Sequence, residues 1–156
     1  MTSPALLAPI AEPAARLRRI AACARDGRPI DPADAIPLQE AFDRHLIDGS
    51  SLDFLLGVTA DGKGATPPWK ALRIIDRDDA IRALASSLSE DVDGGNVLDA
   101  MLDELEQFAN WRWPQLRLHQ ECPANPTSLE ALMWQVLRLS GGRVLSRAYL
   151  AEILAG

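Results

Sequence analysis

A glycine-rich segment at residues 57–64 comes closest in this chain to a known ligand-binding motif. It fits most of the phosphate-loop pattern, in which backbone N–H groups and a lysine bind the phosphates of a nucleotide. Lys63 occupies the position of that lysine, but Gly64 stands where the motif has the hydroxyl residue that binds magnesium. The next helix is also predicted to begin several residues later, at Pro67. We therefore interpret the segment as a surface loop.

Three carboxylates at helical spacing, Asp99, Asp103 and Glu106, raise the question of a metal site. Carboxylate oxygens suit a hard cation such as Ca²⁺, but such an ion takes several ligands, which usually come from more than one element. A single helix supplies too few ligands for such an ion. We interpret the three residues as a solvated acidic face and predict neither a metal nor another cofactor.

The histidines and cysteines do not form a catalytic pattern. His45 falls on the apolar side of a predicted helix, and His119 lies in a linker three residues before Cys122. Neither spacing is typical of a zinc site or of a catalytic triad. Cys122 and Cys23 are too few for a disulfide framework. We predict a protein that is not an enzyme.

The aromatic cluster Trp111, Arg112 and Trp113 is the best candidate for a contact surface. Two tryptophans separated by one residue cannot both point to the same buried face of a helix. Aromatic residues and arginine are enriched where proteins bind one another. The alternative is that the tryptophans pack in the core. The cluster therefore indicates contact with a protein partner or with a second copy in a homodimer.

Composition favours one soluble domain. The chain has 156 residues, of which 47% are hydrophobic, and a net charge of −6, which argues against a general phosphate-binding surface. No apolar run approaches the roughly 18 residues of a membrane span, so we predict no membrane contact. The first ten residues lack a basic leader and contain two prolines. These features predict a cytoplasmic location.

The patterning predicts an all-α fold, a single compact domain of six to seven helices. Residues 1–12 are predicted to be a flexible Pro/Ala-rich arm, and residues 13–156 the helical domain. Residues 52–56 are assigned to a short helix or turn, with a short strand over 52–58 as the alternative. Thr127 and Glu130 are expected to form a capping box. Apolar periodicity and capping residues place helices near residues 13–26, 52–56, 67–88, 96–111 and 129–139, with a further helix between Pro32 and Gly49 and a last helix capped by Ser146.

The last thirty residues carry the one resemblance to a known family. Residues 142–147, Gly-Arg-Val-Leu-Ser-Arg, with Leu150 and Leu154, resemble the opening helix pair of the winged-helix effector domain of response regulators. The resemblance implies a C-terminal helix-turn-helix-like pair. The family's recognition helix and wing would follow Gly156, so no base-reading residue can be assigned. The rest of the chain resembles small bacterial proteins, some found in prophage neighbourhoods.

Two functions follow as hypotheses. The first is a non-enzymatic bacterial protein–protein interaction module acting through residues 111–113. The alternative is a DNA-associated regulator or prophage accessory protein that uses the C-terminal helix pair. DNA binding would require the basic residues to lie on one face. The candidate phosphate contacts are Arg16, Arg18, Arg19, Arg138, Arg143 and Arg147.

Overall fold

A computed structural model describes residues 4–60, 62–91, 96–119, 121–122 and 128–155. Within these ranges the protein is all-α, as predicted, with no strand. No helix there is long and apolar enough to cross a membrane. The eight helices of the described ranges are α1 (Pro4–Asp26), α2 (Pro32–Asp48), α3 (Leu52–Leu55), α4 (Pro68–Asp91), α5 (Val97–Trp111), α6 (Trp113–Leu116), α7 (Leu129–Leu139) and α8 (Arg147–Ala155).

The chain divides into two compact units, Met1–Ile75 and Asp76–Gly156. The first unit contains α1, α2, α3 and the beginning of α4, and the second contains the remainder of α4 and α5 to α8. The prediction of a single domain over residues 13–156 stays a prediction.

Helix α1 begins at Pro4, nine residues before the start predicted at Pro13. Leu7 and Ala11, one helical turn apart, are its buried residues, and they pack with Ala71 of α4. Most of the segment assigned to a flexible arm is therefore helical here. Pro9 and Pro13 lie inside the helix, where a proline costs about 3 kcal/mol or more. Burial of the leucine and the helix preference of the surrounding alanines offset part of that cost.

Helix α2 begins and ends where the sequence predicts. Asp31 accepts a hydrogen bond of 2.8 Å from the N–H of Ala33, and Pro32 occupies the first turn. At the other end, Gly49 has a φ of 72° and donates its N–H to the carbonyl of His45. Left-handed backbone of this kind favours glycine. The short helix α3 packs against α2. Residues 52–55 are therefore helical, and the alternative of a short strand is not observed there.

Helix α5 is the centre of the second unit, where it packs against α6, α7 and α8. Met101 and Leu105 on α5 are fully buried, and Leu137 of α7 and Leu150 of α8 pack in the same cluster. The second half of α4 adds Ile81 and its apolar neighbours. These periodic apolar faces are the ones that the sequence predicts.

Two polar residues interrupt the apolar face of α4. Arg77 donates to the Asp78 carboxylate at 2.7 and 2.9 Å and to the hydroxyl of Tyr149 in α8 at 2.5 Å. Its guanidinium also lies 5.0 Å from the centre of the tyrosine ring. The interruption is therefore an internal polar contact between α4 and α8.

The second unit contains one helix that the sequence analysis did not predict. Helix α5 ends at Trp111, as predicted, and Pro114 then lies in the first turn of α6. A proline fits that position because the N–H it lacks would have no partner there. The described residues thus have eight helices, where six to seven were predicted.

Helices α7 and α8 occupy the positions predicted for the C-terminal pair. The expected capping residue Thr127 lies outside the described residues, and Ser128 is the residue whose hydroxyl accepts from the N–H of Ala131. The turn between the helices includes Gly142, which has a φ of 79°. A Cβ there would lie 2.9 Å from Nε1 of Trp113, so the turn needs glycine for two reasons.

Candidate protein-interaction groove

A groove with a volume of about 450 Å³ lies between α5 and α7 in the second unit. We call it the Trp111 groove. Its floor is apolar and its edges carry charged side chains. It is lined by Glu104, Gln107, Phe108 and Trp111 of α5, by Arg112 after it, and by Glu130 and Met133 of α7.

Helical spacing brings these residues together. Glu104, Phe108 and Trp111 are four and three residues apart, so they lie on one face of α5. Glu130 and Met133 are likewise three apart on α7. Phe108 and Met133 are buried and belong to the core of the second unit, so the groove has a rigid floor.

The two tryptophans of the predicted cluster have different environments. Trp111 leaves 77% of its surface exposed and borders the groove. Trp113 is half-buried, packs against the core and faces Gly142. Packing against the core, one of the two alternatives, therefore applies to Trp113, whereas contact of Trp111 with a partner stays a prediction. Trp111 has the exposed position that a contact residue requires.

Arg112, the third member of the cluster, has a partner within the second unit. Its Nε and an Nη atom donate to Oε1 of Glu130 at 3.2 and 2.8 Å. Because Glu130 lies in the first turn of α7, the ion pair joins the end of α5 to the beginning of α7. The two charges compensate each other at one end of the groove.

Glu104 at the groove wall has no such compensation. The residue is half-buried. Within the described residues its carboxylate has no cation or hydrogen-bond donor as a partner. Glu104 therefore gives the groove one uncompensated negative charge beside an apolar floor.

The N-terminal arginines are engaged in an ion-pair network of the first unit. Arg19 donates to the two carboxylate oxygens of the buried Asp34 at 2.8 and 2.7 Å, and to Glu12 at 2.8 Å. Arg16 Nε lies 3.8 Å from Asp34. The hydrogen bond from Arg19 is the main reason that the pKa of Asp34 and that of Glu12 are lowered. Arg18 is exposed on α1.

Two of the C-terminal arginines also have partners in their own unit. Arg147 donates to Asp99 at 2.8 Å, which lowers the pKa of the carboxyl and raises that of the guanidinium. Arg138 donates to the carbonyl of His119 and lies 4.8 Å from the ring of Trp134. Arg143 is exposed in the turn between α7 and α8.

The other candidates for chemistry lie apart from the groove. Residues 57–64 follow a helix, where a phosphate loop would follow a strand, and residue 61 lies outside the described residues. His45 donates from Nδ1 to the carbonyl of Ser50 at 2.7 Å. Cys23 and Cys122 are free thiols. Among the described residues, no three His, Cys, Asp or Glu side chains are grouped as a metal ion would require.

Sequence reasoning missed most of the groove. It singled out Trp111 and Arg112 but not Glu104 or Gln107, and it assigned Glu130 to a capping box. One signal was present, the spacing of residues 104, 108 and 111 along a single helix face. The pairing of that face with α7 is a tertiary feature and has no local signature.

No protein-family model matches the chain, and neither a curated protein nor a solved structure is significantly similar to it.

Proposed function

We propose that this chain is a non-enzymatic protein-interaction module that holds a segment of a partner protein in the Trp111 groove. The observation that carries the proposal is the position of Trp111, an indole exposed over 77% of its surface beside an apolar groove. A partner that covers this indole removes a large apolar surface from water.

The groove has the features of an interaction hot spot. Such sites have an aromatic or arginine anchor near a rigid apolar floor and a polar rim. Phe108 and Met133 supply the floor, and the Arg112–Glu130 ion pair forms part of the rim. Because the ion pair orders the rim before a partner arrives, binding costs less conformational entropy.

The alternative, a DNA-associated regulator, has less support. Phosphate binding needs cations that neutralise the backbone. Arg19 and Arg147 each already neutralise carboxylates, so a phosphate would have to compete with Asp34 or Asp99. The resemblance of residues 127–156 to a winged-helix helix pair stays a prediction, as do a bacterial origin and a prophage neighbourhood.

The test is a selection of displayed helical peptides of random sequence against the purified chain. We expect enriched peptides whose affinity falls about thirtyfold in Trp111→Ala, the loss typical of an interface hot spot. Trp69→Ala is the matched control, because that tryptophan is 58% exposed but belongs to the first unit.

The unfolding temperature of Trp111→Ala should stay close to that of the wild type, since the indole is largely exposed. Enriched peptides that bind Trp111→Ala as well as the wild type would overturn the proposal, as would a selection that enriches no peptide at all.

A further inference from the structure

Glu104 limits the kind of segment that the Trp111 groove accepts. A partner that covers the groove also removes water from the half-buried carboxylate. A desolvated charge is costly unless an opposite charge pairs with it. The neighbouring pair, Arg112 and Glu130, is already neutral as a whole, so the compensating cation must come from the partner.

We infer that the groove binds a basic amphipathic helix of a partner protein, whose apolar side chains contact Trp111 and the floor while a lysine or arginine pairs with Glu104. This inference rests on the proposed function and names the chemistry of the partner.

The architecture around the groove favours a helical partner over an extended one. An extended peptide gains affinity by adding a strand to the edge of a sheet, and the described residues of this chain form no strand. A helix satisfies its own backbone hydrogen bonds and needs only a groove for its apolar face. The space between α5 and α7 is a groove of that type.

The spacing of Glu104 and Trp111 predicts how apolar and basic residues are spaced in the partner helix. Glu104 and Trp111 are seven residues apart on α5, or about 10 Å along the helix axis at 1.5 Å per residue. A partner helix lying along α5 therefore needs an apolar anchor and a basic residue about seven positions apart. That spacing places both on one face of the partner.

Two further carboxylates on α5 are negatively charged, like Glu104. Asp103 and Glu106 are exposed on α5 beside the groove. Charges at a rim accelerate the approach of an oppositely charged partner more than they strengthen the complex. Asp103 and Glu106 therefore speed the approach of a basic segment, but they do not determine which residue its cation pairs with.

The experiment uses two displayed libraries of helical peptides with a fixed leucine anchor. One library fixes lysine seven positions from the leucine, and the other fixes glutamate there. Peptides enriched on the intact chain are then measured on Glu104→Gln, on Glu106→Gln as the matched control, and on Trp111→Ala.

We expect the lysine library to give the tighter binders, with affinity about tenfold weaker on Glu104→Gln. Glu106→Gln should leave the equilibrium affinity nearly unchanged. Moving the lysine by two positions, to the far side of the peptide helix, should cost as much as Glu104→Gln.

Two outcomes would overturn the basic-helix inference and still leave Trp111 as a contact residue. One is that both libraries give binders sensitive to Trp111→Ala but indifferent to Glu104→Gln. The other is that the chain alone forms a dimer, above its monomer mass of 17.0 kDa, which Trp111→Ala dissociates. If no binder depends on Trp111, the proposed function itself fails.

Discussion

The two units differ in the size of their apolar clusters. Among the described residues of the first, Leu7, Ala11 and Ala71 form a buried cluster, while the buried Asp34 joins α1 to α2 through Arg19. Among the described residues of the second, fifteen buried side chains from five helices form one core. Both units also contain a buried carboxylate paired with an arginine, so it is the removal of apolar surface from water that contributes more to the second unit.

The difference extends to the surface. The first unit leaves several large apolar side chains of α2 and α3 exposed, among them Leu46, Ile47 and Phe54. The second exposes few, and one of them, Trp111, borders a groove. An exposed apolar side chain is unremarkable by itself, so what distinguishes Trp111 is a largely exposed indole in the same groove as the uncompensated Glu104.

The largest expected effect is on the core of the second unit. Leu137 is completely buried, and Leu137→Ala should lower the free energy of unfolding by about 3 kcal/mol, because a buried leucine truncated to alanine leaves a cavity. Denaturant titration followed by tryptophan fluorescence measures this loss. Leu118→Ala in the same unit is the control, since Leu118 is 84% exposed and should change stability by less than about 0.5 kcal/mol. Equal losses in the two variants would mean that Leu137 is not part of the buried core.

A smaller effect is expected at the turn between α7 and α8. Gly142→Ala places a Cβ in left-handed backbone, which costs about 1–2 kcal/mol, and also against Trp113. Gly141→Ala has the same backbone penalty at a φ of 69°, but nothing lies within 4 Å of its new Cβ. The difference between the two variants in thermal unfolding therefore isolates the contact with the indole. If the two variants are equally stable, Trp113 does not pack on Gly142.

The smallest effect in size is the response of the Asp34 ion pairs of the first unit to acid. Because the folded-state pKa of Asp34 is lowered, its ion pairs stabilise the first unit above the ordinary carboxyl pKa of 3.8 and lose that effect as pH falls through the lowered value. Asp34→Asn should lower the protection of α1 and α2 amides from hydrogen exchange at neutral pH. The difference from the wild type should shrink in acid, while protection in α5 and α7 should not differ between the two proteins. A difference independent of pH would mean that Asp34 acts through packing alone.

The sequence predicted helices well in both units where the apolar periodicity or the capping residues are clear. Helices α5 and α7 have bounds within a residue of those expected, because their apolar faces repeat with the helical period. The start of α1 was missed because the Pro/Ala-rich residues 1–12 were assigned to a flexible arm, and α6 was missed because no helix was predicted between residues 111 and 129. In the structure, Pro9 is an interior residue of α1 and Pro114 a first-turn residue of α6.

The candidate site was predictable only in part. Exposure of one indole followed from the spacing of Trp111 and Trp113. The partners of the arginines did not, because Asp34 is 15 residues from Arg19 and Asp99 is 48 residues from Arg147. Pairings over such distances depend on how helices pack, and the sequence pattern of one helix does not contain that information.

The contact between Arg77 and Tyr149 joins residues 72 positions apart. Leu150 and Ile153, on the same helix as the tyrosine, complete a core that begins at Ala80. During synthesis, this core therefore stays open until α8 has left the ribosome, and until then Leu105 and Leu137 remain accessible to water and to chaperones. The second unit therefore completes its core only when its last helix has been made.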